Sequence, residues 1–300
     1  MSVTAVGSIA LDSLILPSGN HIDILGGSAS HFCTSCALFD TTVNIVGVVG
    51  KDFPEKHIEH FKSRKVNTED LQVENGKTFR WSGEYKIDEM DQAITHDTQL
   101  NVFESFHPVL SDQSSSPRFL FLGNIHPGLQ QEVAQKADAD LIIMDTMNLW
   151  IQNTKEQLIE AVKEVNVLII NETEARDFTG KERLIDAARV IQEIGPRVVV
   201  IKKGGEGAML VNENDLFLCP SYPVKEVVDP TGAGDSFAGG FVGYLAEQQS
   251  LSTEHFRRAV VHGNVMGSLN VEGVGLKVLS ESNRKLIEDR YNEYRKLTSF

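Results

Sequence analysis

The chain has 300 residues, 41% of them apolar, with 28 basic against 42 acidic side chains and a formal net charge of −14. That length allows one large α/β domain or two smaller ones, and that charge argues against nucleic acid and anionic membranes as partners, although local donors and a cation can still hold a small anionic substrate. No apolar run is long enough to span a bilayer; residues 1–4 lack a basic leader and read as a first strand; and three cysteines make no disulfide framework, so a reducing cytoplasm is the expected compartment.

Residues 3–11 are apolar and strand-like, with Gly7-Ser8 in the middle, and end at Asp12. Residues 14–25 hold a Pro-Ser-Gly-Asn turn and read as a small hairpin; Gly26-Gly27 then precede a helix from Ser28. Cys33 and Cys36 form a CxxC inside the mostly apolar run 29–39. Zinc needs about four ligands and there is no second pair, and a redox pair belongs at a helix start after a strand, so both are expected to be buried, inert thiols. Residues 42–49 are a second buried strand, Asp52 is expected to cap a helix, and residues 54–65 are amphipathic. The stretch 78–106 is polar, yet residues 78–85 alternate as a strand does, which suggests a β-lid with one face to solvent. Its aromatics Phe79, Trp81, Phe103 and Phe106 either pack the lid or face a ligand. Residues 113–117 are a Ser-rich turn.

From Arg118 onward, short apolar runs (119–122, 141–144, 167–170, 198–201) alternate with helical patterns (130–137, 155–165, 184–194). Such alternation predicts a parallel sheet covered on both faces, whose ligands bind at the carboxyl ends of the strands. Four segments fall at those ends: Gly123-Asn124-Ile125, Asp145-Thr146-Met147-Asn148, Asn171-Glu172-Thr173-Glu174, and Lys202-Lys203-Gly204-Gly205-Glu206-Gly207. The third also reads as an N-cap with a capping box. Helices are predicted over 233–247, 253–269 and 280–294.

The most informative stretch is Asp229-Pro230-Thr231-Gly232-Ala233-Gly234-Asp235-Ser236. Pro230 stops any incoming helix, the glycines permit a sharp turn, and a helical pattern follows from Ala233. A turn feeding a helix start presents free N–H groups at the positive end of the helix dipole, an anion site. A carboxylate among donors meant for an anion makes sense as a base: Asp235 would take a proton from a hydroxyl while the N–H groups hold charge developing on a transferred group. Each residue alone fits a capped helix; the octet together reads as an active site.

Residues 229–244, DPTGAGDSFAGGFVGY, resemble the C-terminal signature of the ribokinase family, also called PfkB carbohydrate kinases. The resemblance extends over nearly the whole chain. It implies a ribokinase-like, three-layer α/β/α domain over residues 1–300, with a mainly parallel sheet and a β-lid from about 12–25 and 77–106. It also implies an ATP- and Mg²⁺-dependent kinase acting on a hydroxymethyl group. By position Asp235 matches the catalytic base, and Gly232, Ala233 and Gly234 the anion hole. Asp12, Gly26 and Gly27 match residues that grip substrate hydroxyls. His31 stands where many sugar kinases carry Asn. Trp81 and Asn124 are assigned to the substrate side, Asn171 and Glu174 to Mg²⁺ and its waters, Lys202, Gly204 and Gly207 to ATP, and Asn264 to the adenine. Asp229 and Thr231 match a site for a potassium-type ion, a pattern that residues 270–277 fit poorly. A monomer or a homodimer through the lid is expected. His31 and the lid aromatics favour a nucleoside acceptor, adenosine-like, over a free sugar of the ribokinase or fructokinase type. A non-catalytic sugar- or nucleoside-binding regulator is the reading from another class, and Asp235 argues against it. The chain has no P-loop, no protein-kinase signature and no dinucleotide fingerprint.

Overall fold

The four apolar runs after Arg118 become neighbours in one sheet. In the computed structural model, which describes residues 2–299, the order across that sheet is Leu216–Cys219, Ala208–Val211, Val198–Lys202, Val167–Asn171, Leu141–Asp145, Phe119–Leu122, Ser2–Val6, Thr42–Gly50 and Val66–Asn67. Leu71–Glu74 pairs with the far end of Thr42–Gly50. The strands from Val198–Lys202 to Val66–Asn67 are mutually parallel; the first two are antiparallel. Alternate residues feed two separate cores. Phe119, Phe121, Ile143, Val167 and Ile169 pack with helices Ser28–Cys36, Ala233–Ala246 and Thr253–Val271. Leu120, Leu122, Met144, Leu168 and Ile170 pack with Pro127–Lys136, Lys155–Lys163, Glu172–Thr179 and Leu184–Ile194. A sheet apolar on both faces must be covered on both, and the result is the expected three-layer α/β/α arrangement. Among the described residues no helix is long and apolar enough to cross a membrane.

A second sheet stands beside the first, in the order Gly19–Gly26, Ala10–Leu16, Phe79–Lys86, Glu89–Gln99. Its central pairing, Ala10–Leu16 against Phe79–Lys86, is parallel and sets Asp12 opposite Trp81. The single strand expected over 3–11 is therefore two strands in two sheets, parted by Gly7, Ser8 and Ile9. An unbroken apolar run does not reveal where a chain changes sheet when both parts are buried. Asp52, expected to cap a helix, instead accepts the Thr78 N–H and hydroxyl, both at 2.7 Å, and pairs with Arg80 at 3.0 Å. It fastens the start of the second sheet to the main one. The antiparallel strands Ala208–Val211 and Leu216–Cys219 were too short for their periodicity to stand out. The expected 280–294 helix divides into Lys277–Glu281 and Arg284–Thr298, with Asn283 capping the second. Cys33, Cys36 and Cys219 are free and buried, and burial pushes the Cys33 and Cys36 thiols well up, as inert thiols require.

The order of strands decides where a ligand can go. From Ser2–Val6 the chain moves to Thr42–Gly50 on one side, then crosses to Phe119–Leu122 on the other. Reversal of direction opens a crevice at the carboxyl ends of the two flanking strands. The segments beginning Gly123, Asp145, Asn171 and Lys202 all lie along that edge.

Candidate active site

The turn at Gly232 is held from three sides. Gly232 has φ +72°, the left-handed region that suits glycine, and a Cβ there would overlap the His31 ring. Asp229 is fully buried; its carboxylate accepts the Thr231 N–H at 2.9 Å and the Gly275 N–H at 2.7 Å. Asn270 donates to the Thr231 carbonyl at 2.8 Å, and its side-chain oxygen contacts both Ser236 Oγ (2.9 Å) and His31 Nδ1 (3.0 Å). His31 is thus a buried brace behind the turn. Burial lowers its pKa, with Asn270 and Asp229 opposing, so the ring is neutral near pH 7. The Ala233 N–H bonds back to Pro230 and the Ser236 N–H to Gly232. The first-turn N–H groups of helix Ala233–Ala246 have no helical carbonyl behind them. Gly239, Gly240 and Gly243 seat that helix against its neighbours: a Cβ on them would press on the Phe32 carbonyl (2.5 Å), the His262 carbonyl (2.7 Å) and the Phe39 ring (2.5 Å).

Asp235 lies in the first turn of that helix, half-buried. Burial and the nearby Asp145 carboxylate push its pKa up to about 7, against the Lys202 ammonium and its own backbone N–H. A carboxylate poised there can both accept and hold a proton near neutral pH. Lys202, at the end of strand Val198–Lys202, reaches Asp145 Oδ2 at 2.9 Å. A Cβ on Gly234 would come within 2.8 Å of its ammonium, so the charge sits directly against the turn. Burial works against that charge, but Asp145, Glu174 and Asp235 more than offset it and raise its pKa. Lys202 is therefore a paired, largely buried cation against the Gly232–Gly234 turn rather than a solvated one.

Asn171 and Glu174 do form a full capping box: Asn171 Oδ1 accepts the Glu174 N–H at 2.8 Å, and Glu174 Oε2 accepts the Asn171 N–H at 2.9 Å. Glu174 is also 6% exposed, and burial first, then Asp145 and Asp235, raise its pKa to about 7, against Lys202 and the Asn171 N–H. The residues of the capping box thus stand beside Asp145, Lys202 and Asp235. Among the described residues no cluster of three or more His, Cys, Asp or Glu could grip a metal directly. One carboxylate beside the anion site suits Mg²⁺, which keeps several waters and takes its other ligands from phosphates.

Near Asp229 and Asp235, Asp12 is 4% exposed and its Oδ1 has no hydrogen-bond partner. Burial, then Asp229 and Asp235, push its pKa up to about 8. Gly26 must lack a side chain, because a Cβ there would overlap the Asp12 carboxylate. Gly27, at φ +91°, starts helix Ser28–Cys36. A buried carboxyl with an orphaned oxygen suits a hydroxyl-bearing ligand.

Other assigned residues are committed to neighbours. Asn124 accepts the Trp150 indole N–H at 2.7 Å and its amide lies 2.8 Å from Met147 Sδ, so it orients Trp150. Asn264 donates to the Pro220 carbonyl at 3.0 Å and fixes the loop after Leu216–Cys219. Gly204 (φ +52°) and Gly207 (φ +101°) shape a short 3₁₀ turn, and a Cβ on Gly207 would strike the Cys219 carbonyl. Thr231 Oγ1 faces the Tyr85 hydroxyl. Phe79, Phe103 and Phe106 stack in a row, at 5.2 and 5.8 Å between centroids, and pack the second sheet onto the main body. Trp81 differs: its ring lies over Gly83, where a Cβ would overlap it, and its N–H reaches Thr95 Oγ1 at 3.3 Å. Sequence reasoning passed over Tyr85 and the Asp145–Lys202 pair. The W-x-G-x-Y spacing signals the first; the second joins strands 57 residues apart and has no local signal.

The profile of the pfkB family of carbohydrate kinases matches residues 24–283. A cytidine kinase of Thermococcus kodakarensis is 29% identical over 248 residues, covering 81% of this chain and 87% of its own. The nucleoside kinase of Methanocaldococcus jannaschii superposes with a TM-score of 0.80 at 19% identity, over 97% of this chain and 98% of its own. The aminoimidazole riboside kinase of Salmonella enterica, solved with aminoimidazole riboside and an ATP analogue, superposes at 0.78 with 16% identity, over 97% and 100%. A profile that spans most of the chain, over a fold shared end to end, makes this protein a member of the pfkB carbohydrate kinase family, a phosphotransferase that acts on a hydroxyl group.

Proposed function

We propose that the protein transfers the γ-phosphoryl group of ATP to the primary hydroxymethyl group of a nucleoside, with Asp235 as general base. The observation that carries this is the pairing of Asp235, near neutrality, with an anion site made of first-turn N–H groups and the Lys202 ammonium. Asp235 accepts the hydroxyl proton as the oxygen attacks in line and ADP leaves; Lys202 and the uncommitted N–H groups of Gly232 and Gly234 balance charge on the phosphoryl oxygens. Mg²⁺, when bound, neutralises charge between the phosphates. Glu174, held in place by Asn171, would orient its waters. Lys202, Gly204 and Gly207 lie at the strand end where the triphosphate would pass. Asp229 and Thr231 would lie nearest a monovalent cation such as K⁺, although the carboxylate of Asp229 already accepts two N–H groups.

The acceptor reading rests on Trp81 and Asp12. The indole laid flat over Gly83 offers a base-stacking face, worth ~1–3 kcal/mol per base in single-strand binding, and the orphaned Asp12 oxygen suits a ribose diol. His31 contributes nothing to this choice, because Asn270 holds it behind the turn. Relatives named as cytidine, nucleoside and aminoimidazole riboside kinases point the same way. An acceptor panel with ATP and Mg²⁺ (adenosine, cytidine, inosine, ribose, fructose and fructose phosphates) tests it: a nucleoside should show the highest kcat/KM, and Trp81→Ala should reduce nucleoside use more than ribose use. A hexose or hexose phosphate winning by a wide margin would overturn the nucleoside assignment and leave the kinase standing.

Glu174→Gln separates the metal role from the cap. Gln keeps an oxygen for the Asn171 N–H, so the fold should hold. The Mg²⁺ concentration for half-maximal rate should rise ~10-fold or more, with the acceptor KM changing much less. Unchanged metal dependence would return Glu174 to capping alone.

A further inference from the structure

The second sheet touches the catalytic turn through Tyr85. Along strand Phe79–Lys86 alternate side chains share a face, which puts Trp81, Gly83 and Tyr85 in one row. Arg80, on the other face, is fastened to Asp52 and Asp23. Pairing with Ala10–Leu16 is regular from Phe79 to Glu84, whereas on the Glu89–Gln99 side the register shifts between Ser82 and Gly83 and again between Glu84 and Lys86, the step that holds Tyr85. Gly83 leaves room for the indole of Trp81, and beyond it the Tyr85 hydroxyl stands 3.4 Å from Thr231 Oγ1, the residue before Gly232. The phenol sits near both Asp229 and Asp12, and in its contact with Thr231 the threonine hydroxyl donates and the phenol oxygen accepts.

Two features set what that hydroxyl can do. The contact to Thr231 is long for a hydrogen bond between hydroxyls, which prefer about 2.7–2.8 Å. It would shorten if the second sheet moved a few tenths of an ångström towards the turn. And the groups around it, Asp12 on the same sheet and Asp229 beneath the turn, flank the space where an acceptor hydroxyl would lie. We propose that Tyr85 is a positioning residue of the acceptor site: with an acceptor beneath the second sheet, its hydroxyl closes onto Thr231, holds the Gly232–Gly234 turn in register and keeps water away from Asp235. The proposal rests on the phosphotransfer reading above. Closure that excludes water is how such sites favour a bound hydroxyl over solvent as the attacking group.

Tyr85→Phe keeps the ring and removes only the hydroxyl. With ATP, Mg²⁺ and the best acceptor of the wild type, kcat/KM should fall about 3–10-fold, the worth of one neutral hydrogen bond. ATP hydrolysed per acceptor phosphorylated should rise, because water gains access. Thr231→Val should reproduce the effect, Thr231→Ser should restore coupling, and the Tyr85→Phe/Thr231→Val pair should be no worse than either single variant. If Tyr85→Phe matches an active wild type in both efficiency and coupling, the proposal fails and the kinase reading stands. If it only lowers Tm and slows all acceptors equally with coupling intact, Tyr85 is packing and the proposal fails. If the wild type phosphorylates no acceptor, the underlying reading fails first.

Discussion

Asp235→Asn should fold as the wild type does and lose ~10²–10⁴-fold in transfer rate, the usual worth of a general base. The asparagine fits the same half-buried place in the first turn and keeps an oxygen towards its own backbone N–H, so the Tm should hold or rise. A rise is expected because an ionised Asp235 is disfavoured there: burial and Asp145 raise its pKa to about 7, and a neutral amide escapes that penalty. The same shift sets the wild-type pH profile. Only the deprotonated carboxylate can take the hydroxyl proton, so kcat/KM should climb as pH rises through about 7 and level above it. The residual activity of the Asn variant should lack that limb. Steady-state transfer assays between pH 5 and 9 on both proteins check the assignment; near-normal turnover by the variant on the true acceptor would refute it.

Lys202→Met should be the most damaging single change to both stability and activity. Lys202 is 17% and Asp145 6% exposed as side chains, joined at 2.9 Å. Removing one partner of a buried pair strands the other, at a cost of about 3–5 kcal/mol. Asp145, Glu174 and Asp235 would then share the pocket without a cation. Lys202 lowers the Asp235 and Glu174 pKa values, so its loss should move the acid limb of any remaining activity to higher pH. Instability and lost chemistry are separable. Lys202→Met with Asp145→Leu removes both charges, and apolar replacement of a whole buried pair is often neutral or better. The double variant should regain most of the Tm and none of the activity. Denaturant melts beside transfer assays would show this; recovery of activity with stability would mean that Lys202 serves only to neutralise Asp145.

These two expectations differ in how early they could be reached. Asp235 belongs to a continuous octet whose logic is local: a proline stop, a glycine turn, a helix start and a carboxylate among free N–H groups. Gly232 illustrates the point, since a left-handed turn favours glycine whatever packs behind it. The alternation of apolar runs and helical patterns after Arg118 likewise sufficed for a parallel sheet, because hydrophobic periodicity is a property of neighbours in the chain. Even the capping box at Asn171 and Glu174 was visible at its spacing of three.

The sequence alone therefore determined the layer architecture, the glycine turn that feeds a helix start and the family signature, and it singled out Asp235 as the candidate base. Tertiary structure decided what each side chain is free to do, because that depends on atoms brought together from distant parts of the chain. Lys202 became a paired, largely buried cation only when strand order set it beside Asp145 and Gly234. His31, Asn124 and Asn264 were assigned to ligands by position, and the structure shows them bonded to Asn270, Trp150 and Pro220. Phe79, Phe103 and Phe106 proved to stack on one another, leaving Trp81 over Gly83. Tyr85 acquired its place only because the second sheet folds across to Thr231, a separation of 146 residues that no local pattern records. Local backbone chemistry writes itself into short motifs; long-range pairing of polar groups does not, since hydrogen bonds and charges act over ångströms of space and are indifferent to distance along the chain.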